Sequence, residues 1–193
     1  MMVRRLPFRF SLPLGLALLL SLALGVSLLN ALDRRLGQLD QQAKADLLNH
    51  TAHLARMAEQ GWEASRGTVE VDLAQVATDP RTESALLLDD TGRILAAHRY
   101  AWRGRQVAEV LPGCEMRRFE QVQQGRMPVF FSISRDGVHT ASMQAFRLFA
   151  GANGEVRGQR QGVVYVGFNL ARERQMMREF VLKARAPDIA ATL

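Results

Sequence analysis

The chain has 193 residues, 48% hydrophobic and 23% charged, with a formal net charge of +6 and one cysteine. Three of the 25 basic residues precede position 10, which leaves +3 for the remainder, dispersed among acids; this excludes a nucleic-acid-binding face as the reason for the charge. The single Cys114 excludes an internal disulfide and a cysteine-based metal cluster, and the 161 residues beyond position 32 suffice for one domain with its own core.

Residues 10–32 (FSLPLGLALLLSLALGVSLLNAL) form the one long uncharged apolar stretch. At helical rise it reaches roughly 35 Å, enough to cross a hydrocarbon core of about 30 Å with some tilt. Lipid offers no hydrogen-bond partners, so a helix that satisfies its own amides is expected there, with Pro13 in its first turn. Arg4, Arg5 and Arg9 put the N-terminal segment 1–9 in the cytoplasm by the positive-inside rule, although Arg34, Arg35 and Lys44 follow closely. A cleaved signal peptide is the competing reading. Its candidate cleavage sites, around Gly25 and Ser27, fall inside the apolar run, so an uncleaved single-pass anchor is expected, with everything after it outside the cytoplasm.

From position 33 to about 66 no proline interrupts and helix formers dominate, which predicts a long stalk helix continuing the span. Leu36, Leu39, Ala43, Leu47, Thr51, Leu54 and Ala58 recur at three- and four-residue steps. Such a stripe either covers a sheet or meets its own copy in a dimer. Residues 67–79 read as a connector with a short apolar turn at Leu73, Val76 and Ala77. The period then changes. Residues 84–88 (SALLL) and 93–98 (RILAAH) flank the turn Asp89-Asp90-Thr91-Gly92, a hairpin pattern. Residues 103–112 and 115–124 suit short covering helices. Strands are expected over 128–134, 138–149 and 162–168, with Arg135-Asp136-Gly137 as a second turn and a glycine-rich loop over 151–161. A second helix follows from 170 to about 184. The fold class is α+β: transmembrane helix 10–32, stalk 33–66, five-stranded antiparallel sheet and cover over 67–169, and a C-terminal helix and tail over 170–193.

The apolar strand before Asp89-Asp90-Thr91-Gly92-Arg93-Ile94, the 104–112 segment ending Val110-Leu111-Pro112, and the closing Val163-Val164-Tyr165-Val166-Gly167 strand leading into a helix carry a resemblance. Over roughly 33–184 the chain resembles the extracytoplasmic PAS-like (PDC, or single Cache) sensor domains of bacterial membrane receptors. The resemblance implies an inner-membrane protein with a periplasmic head, a small ligand bound between the sheet and the cover after the second strand, and a homodimer through the stalk helix. Receptors of this family continue through a second span into a histidine kinase or diguanylate cyclase. Residues 186–193 are too short for that crossing, so a truncated input half, or action through another protein, is expected.

Catalytic chemistry finds no support in the motifs. There is no G-x-S-x-G, Walker A or dinucleotide glycine pattern, and Cys114 lacks a nucleophile's context. His50 and His53, three apart on the stalk helix, have no third ligand in sequence, so no metal and no cofactor is expected. The recognition candidates are Arg99, Tyr100, Trp102, Arg103, Arg105 and Arg117, with neighbouring Arg118, and Phe131, His139 and Tyr165 as walls on the facing strands. Guanidinium beside aromatic rings suits a carboxylate or phosphate, because the fork binds both oxygens while the rings exclude water. The rival expectation is a single-span structural subunit of a pilus or secretion platform. That reading requires a split β-α-β head rather than a five-stranded sheet with an inserted cover.

Overall fold

The computed structural model describes residues 8–60, 66–111, 116–125, 128–148 and 160–190. Arg4, Arg5, Cys114 and the glycines at 151, 154 and 158 lie outside them. Two compact units divide the chain, one of residues 41–172 and the other of 1–40 with 173–193.

In the second unit the apolar stretch is helical, as part of α1 (Phe8–Glu59), with Leu16, Leu18, Leu22 and Leu29 exposed. It is the one helix among the described residues long and apolar enough to cross a membrane. Because α1 begins at Phe8, Pro13 sits one turn deeper than expected, and the carbonyl four residues back loses its helical donor. The C-terminal helix α5 (Ala171–Ala190) extends past the expected end near 184. Arg174 Nη2 donates to Asp40 Oδ1 at 2.7 Å, joining α5 to α1.

The first unit is built on an antiparallel sheet of β1 (Thr82–Leu88), β2 (Ile94–Ala97), β3 (Val129–Ser132), β4 (His139–Arg147) and β5 (Gln161–Asn169). Its order is β2-β1-β5-β4-β3, with the cover inserted between β2 and β3, the PAS-like arrangement rather than a split β-α-β head. The two hairpin turns form where aspartate and glycine demand them. Asp89 Oδ1 accepts the N–H groups of Thr91 and Arg93 at 2.8 and 2.9 Å, and Gly92 takes the left-handed φ of 80° that a side chain disfavours. Asp136 Oδ1 likewise accepts the Val138 N–H at 3.1 Å.

Alternation along the strands splits the core in two. Leu86, Leu88, Ile94, Ala97, Phe131, Ala141, Met143, Val163 and Tyr165 form one cluster with Val107, Phe119 and Val122 of the cover. On the opposite alternation lie Ala85, Leu87, Ala96, Val164, Val166 and Phe168, all buried. Ala43, Leu47, Thr51, Leu54 and Ala58 of α1 are also buried, so the stripe from position 43 covers this chain's own sheet. The ring contact of His50 with Phe168 (centroids 6.1 Å) and Lys44 over Phe130 (5.4 Å) mark the same face.

One expectation is overturned. Residues 67–79 are not a connector: α2 (Arg66–Val76) is a helix burying Val69, Leu73 and Val76, at helical steps of four and three. Thr68, Val69 and Val71 favour strands locally, and Gly67 weakens a helix, but burial of that stripe outweighs propensities of a few tenths of a kcal/mol.

Arg81 fastens α1 to the start of the sheet. Its Nη2 lies 2.6 Å from Asp79 Oδ2, a guanidinium nitrogen lies 2.9 Å from Asp46 Oδ2 on α1, and its guanidinium stacks 4.9 Å from the Phe168 ring centroid. Hydrogen bonding from Arg81 holds the Asp79 carboxyl below the usual carboxylate range. The unfolded chain therefore takes up that proton first, and the stabilisation is complete above about pH 4 and is lost as pH falls through the lower folded value. Asp79→Asn is expected to cost about 1.5–3 kcal/mol at pH 7. The gap between wild type and variant midpoints should close as the melts are repeated from pH 5 down to pH 2.

Candidate functional site in the layer between sheet and cover

The cover comprises a 3-10 turn (Tyr100–Trp102), α3 (Val107–Val110) and α4 (Met116–Gly125). Backbone bonds tie its first part to the hairpin: Gly104 N–H donates to Ile94 O at 2.8 Å, and Val107 N–H to Gly92 O at 3.0 Å. Gln123 of α4 donates through Nε2 to Asp90 O at 3.2 Å and Gln161 O at 2.9 Å, holding α4 across the ends of β1 and β5. Phe119 and Val122 are thereby placed against Tyr165 and Met143 in the core cluster. Sequence reasoning missed Gln123, whose signal is only a polar residue next to Val122 on an otherwise amphipathic helix.

Arg118, on the same helix, carries its guanidinium 4.5 Å from the centroid of the Phe131 ring. Phe131 is tilted against Tyr165 at 6.4 Å. The three come from α4, β3 and β5, and two of them are buried, so a planar cation sits on an aromatic floor that excludes water from one side. Chemically this can hold an anionic group against the guanidinium while the rings cover an apolar stem.

The other expected residues are placed as follows. Arg99 stacks on Trp102 at 4.7 Å, and Trp102 meets His98 edge-on at 5.2 Å. His98 Nδ1 accepts the Ala85 N–H at 3.1 Å beyond the end of β2; burial, aided by the Arg99 charge, pushes its pKa down. Tyr100 is exposed under the Arg103 guanidinium at 4.5 Å, and Arg103 Nη1 pairs with Glu70 Oε1 of α2 at 2.9 Å. Arg105 faces Glu109 one turn on at 3.4 Å, and Arg117 is exposed. His139 Nδ1 lies 2.9 Å from Glu83 Oε2, at the end of β4 that pairs with Asn169. The structure thus joins Phe131 and Tyr165, joins Arg99 to Trp102 and Arg103 to Tyr100, and sends His139 to a different partner. Of the stalk histidines, His53 lies 3.9 Å from Asp72 of α2.

No family model and no curated protein matches the chain. Among solved structures it is similar to an extracellular ligand binding receptor from Desulfohalobium retbaense DSM5692, at 17% identity over 69% of this chain and 24% of that one, with a TM-score of 0.46. The sensor domain of the V. cholerae histidine kinase DctB matches at 19% identity over 78% of this chain and 56% of that one (TM-score 0.43). The extracellular domain of vpHK1S-Z8 matches at 12% identity over 83% and 63% respectively (TM-score 0.49). The chain therefore spans less than two thirds of each of these chains.

Proposed function

We propose that this chain is the membrane-anchored, extracytoplasmic input domain of a bacterial signal-transduction receptor, sensing a small anionic ligand between the sheet and its cover. One observation carries the reading: an arginine on the inserted cover, Arg118, stands over the buried Phe131–Tyr165 pair of a β2-β1-β5-β4-β3 sheet. Residues 10–32 cross the inner membrane once with the N-terminus cytoplasmic, residues 33–66 form the stalk, 67–169 the sensor and 170–193 the signalling helix. Of the other residues expected at the ligand, Arg99, Arg103, Arg105 and His139 are engaged by Trp102, Glu70, Glu109 and Glu83, so the proposed site centres on Arg118, Phe131 and Tyr165. Binding favours one arrangement of sheet and cover, and the change passes to α1 and α5, which the Arg81 and Arg174 contacts fasten. Two copies pair through the membrane-proximal stalk, where Leu36 and Leu39 are only half-buried within one chain. The output, a histidine kinase or diguanylate cyclase in receptors of this type, lies outside these residues.

A thermal-shift screen of the full chain in detergent micelles against small carboxylates and phosphates tests the proposal. At saturating concentration the binding compound is expected to raise the unfolding midpoint by about 5 °C, and Arg118→Leu to abolish most of that rise. No stabilisation by any compound, together with a stoichiometric protein partner retained in pull-downs, would count against the sensor reading.

A further inference from the structure

The face of the sheet that carries α1 has its own cleft, of about 530 Å³, within the range of small-ligand sites. It opens where the last turn of α1 passes the far ends of β4 and β5. Arg56 and Glu59 line it from the helix, and Gln144, Ala145, Phe146 and Arg147 from β4. The Arg147 N–H donates to Glu59 Oε1 at 3.2 Å, which fixes the carboxylate at the rim. Neither the Arg56 nor the Arg147 guanidinium has a carboxylate partner among the described residues.

The decisive atom is Gln144 Oε1, buried and without a hydrogen-bond donor. A buried acceptor left unpaired costs on the order of 1–3 kcal/mol, so this oxygen marks a place where a donor is missing. The cleft therefore presents two cations that want an acceptor, and a carboxylate and an amide oxygen that want a donor.

We propose that this cleft is a second small-molecule site, for a zwitterion carrying a carboxylate and an ammonium. The carboxylate bridges Arg56 and Arg147, the ammonium donates to Gln144 Oε1 and Glu59, and the short stem lies along Phe146. The site is separate from the Arg118 layer: its helical wall is Arg56 and Glu59 of α1, and none of Arg118, Phe131 and Tyr165 lines it.

Titration calorimetry on the full chain in micelles, with glycine, L-alanine, L-glutamate and L-arginine as probes and acetate and ethylammonium as the separate halves, decides it. At least one zwitterion should bind, at least tenfold tighter than either half. Gln144→Leu and the exposed Arg56→Gln should each weaken it tenfold or more, while Arg118→Leu leaves it unchanged. Arg56→Gln guards against a folding defect in the buried variant, and circular dichroism checks both. Absence of binding by all four, equal binding of a half, or unchanged affinity in Arg56→Gln overturns the proposal.

Discussion

Gly162→Val should be the most damaging single substitution in the head, lowering its unfolding midpoint by roughly 6–12 °C. A Cβ at this position would stand 2.5 Å from the Leu88 backbone oxygen and 2.5 Å from the Phe146 ring. Phe146 is the direct cross-strand partner of Gly162, and its ring fills the space a side chain would need. The backbone oxygen cannot swing away as a flexible side chain would, since β1 is pinned to β5 through six paired positions from Thr82 to Leu88. Overpacking of this kind costs about 3 kcal/mol or more, and a domain of this size loses roughly 2–4 °C per kcal/mol. Near-ultraviolet circular dichroism of the full chain in micelles reads the head without the membrane helix. A variant that melts like wild type would mean that β5 is not in this register.

Leu47→Ala is expected to cost about 2–5 kcal/mol in a single chain, because Leu47 of α1 is fully buried and its removal leaves a cavity. Leu36→Ala should cost far less in the same melt, since Leu36 is only half-buried. The pair distinguishes the two meanings of one stripe. If the whole stripe met a second copy, both losses would depend on protein concentration. If residues from 43 onward cover their own sheet, the Leu47 loss is independent of it.

The strands were legible in the sequence because short apolar runs are punctuated by Asp-Asp-Thr-Gly and Arg-Asp-Gly, whose turn chemistry is local. The long helix was legible from its formers and stripe, but local information could not choose between sheet and partner. α2 was misread because its spacing of 69, 73 and 76 competes with strand-favouring valines, and only the third dimension supplies the burial that decides. The arginines of positions 99–118 look like one cluster in sequence. The fold distributes them: Arg99 to Trp102, Arg103 to Glu70, Arg105 to Glu109, and Arg118 to Phe131. The bond from Arg81, just ahead of β1, to Asp46 of α1 has no sequence signature at all.

Hydrogen exchange on the full chain in micelles, with and without the carboxylate or phosphate that stabilises it best, tests the sensor reading most directly. Binding between sheet and cover predicts slower exchange in α4 (Met116–Gly125) and β3 (Val129–Ser132), and the protection of α4 should disappear in Arg118→Leu. Exchange in both segments unchanged by every compound in the screen, or protection that persists in Arg118→Leu, would contradict it.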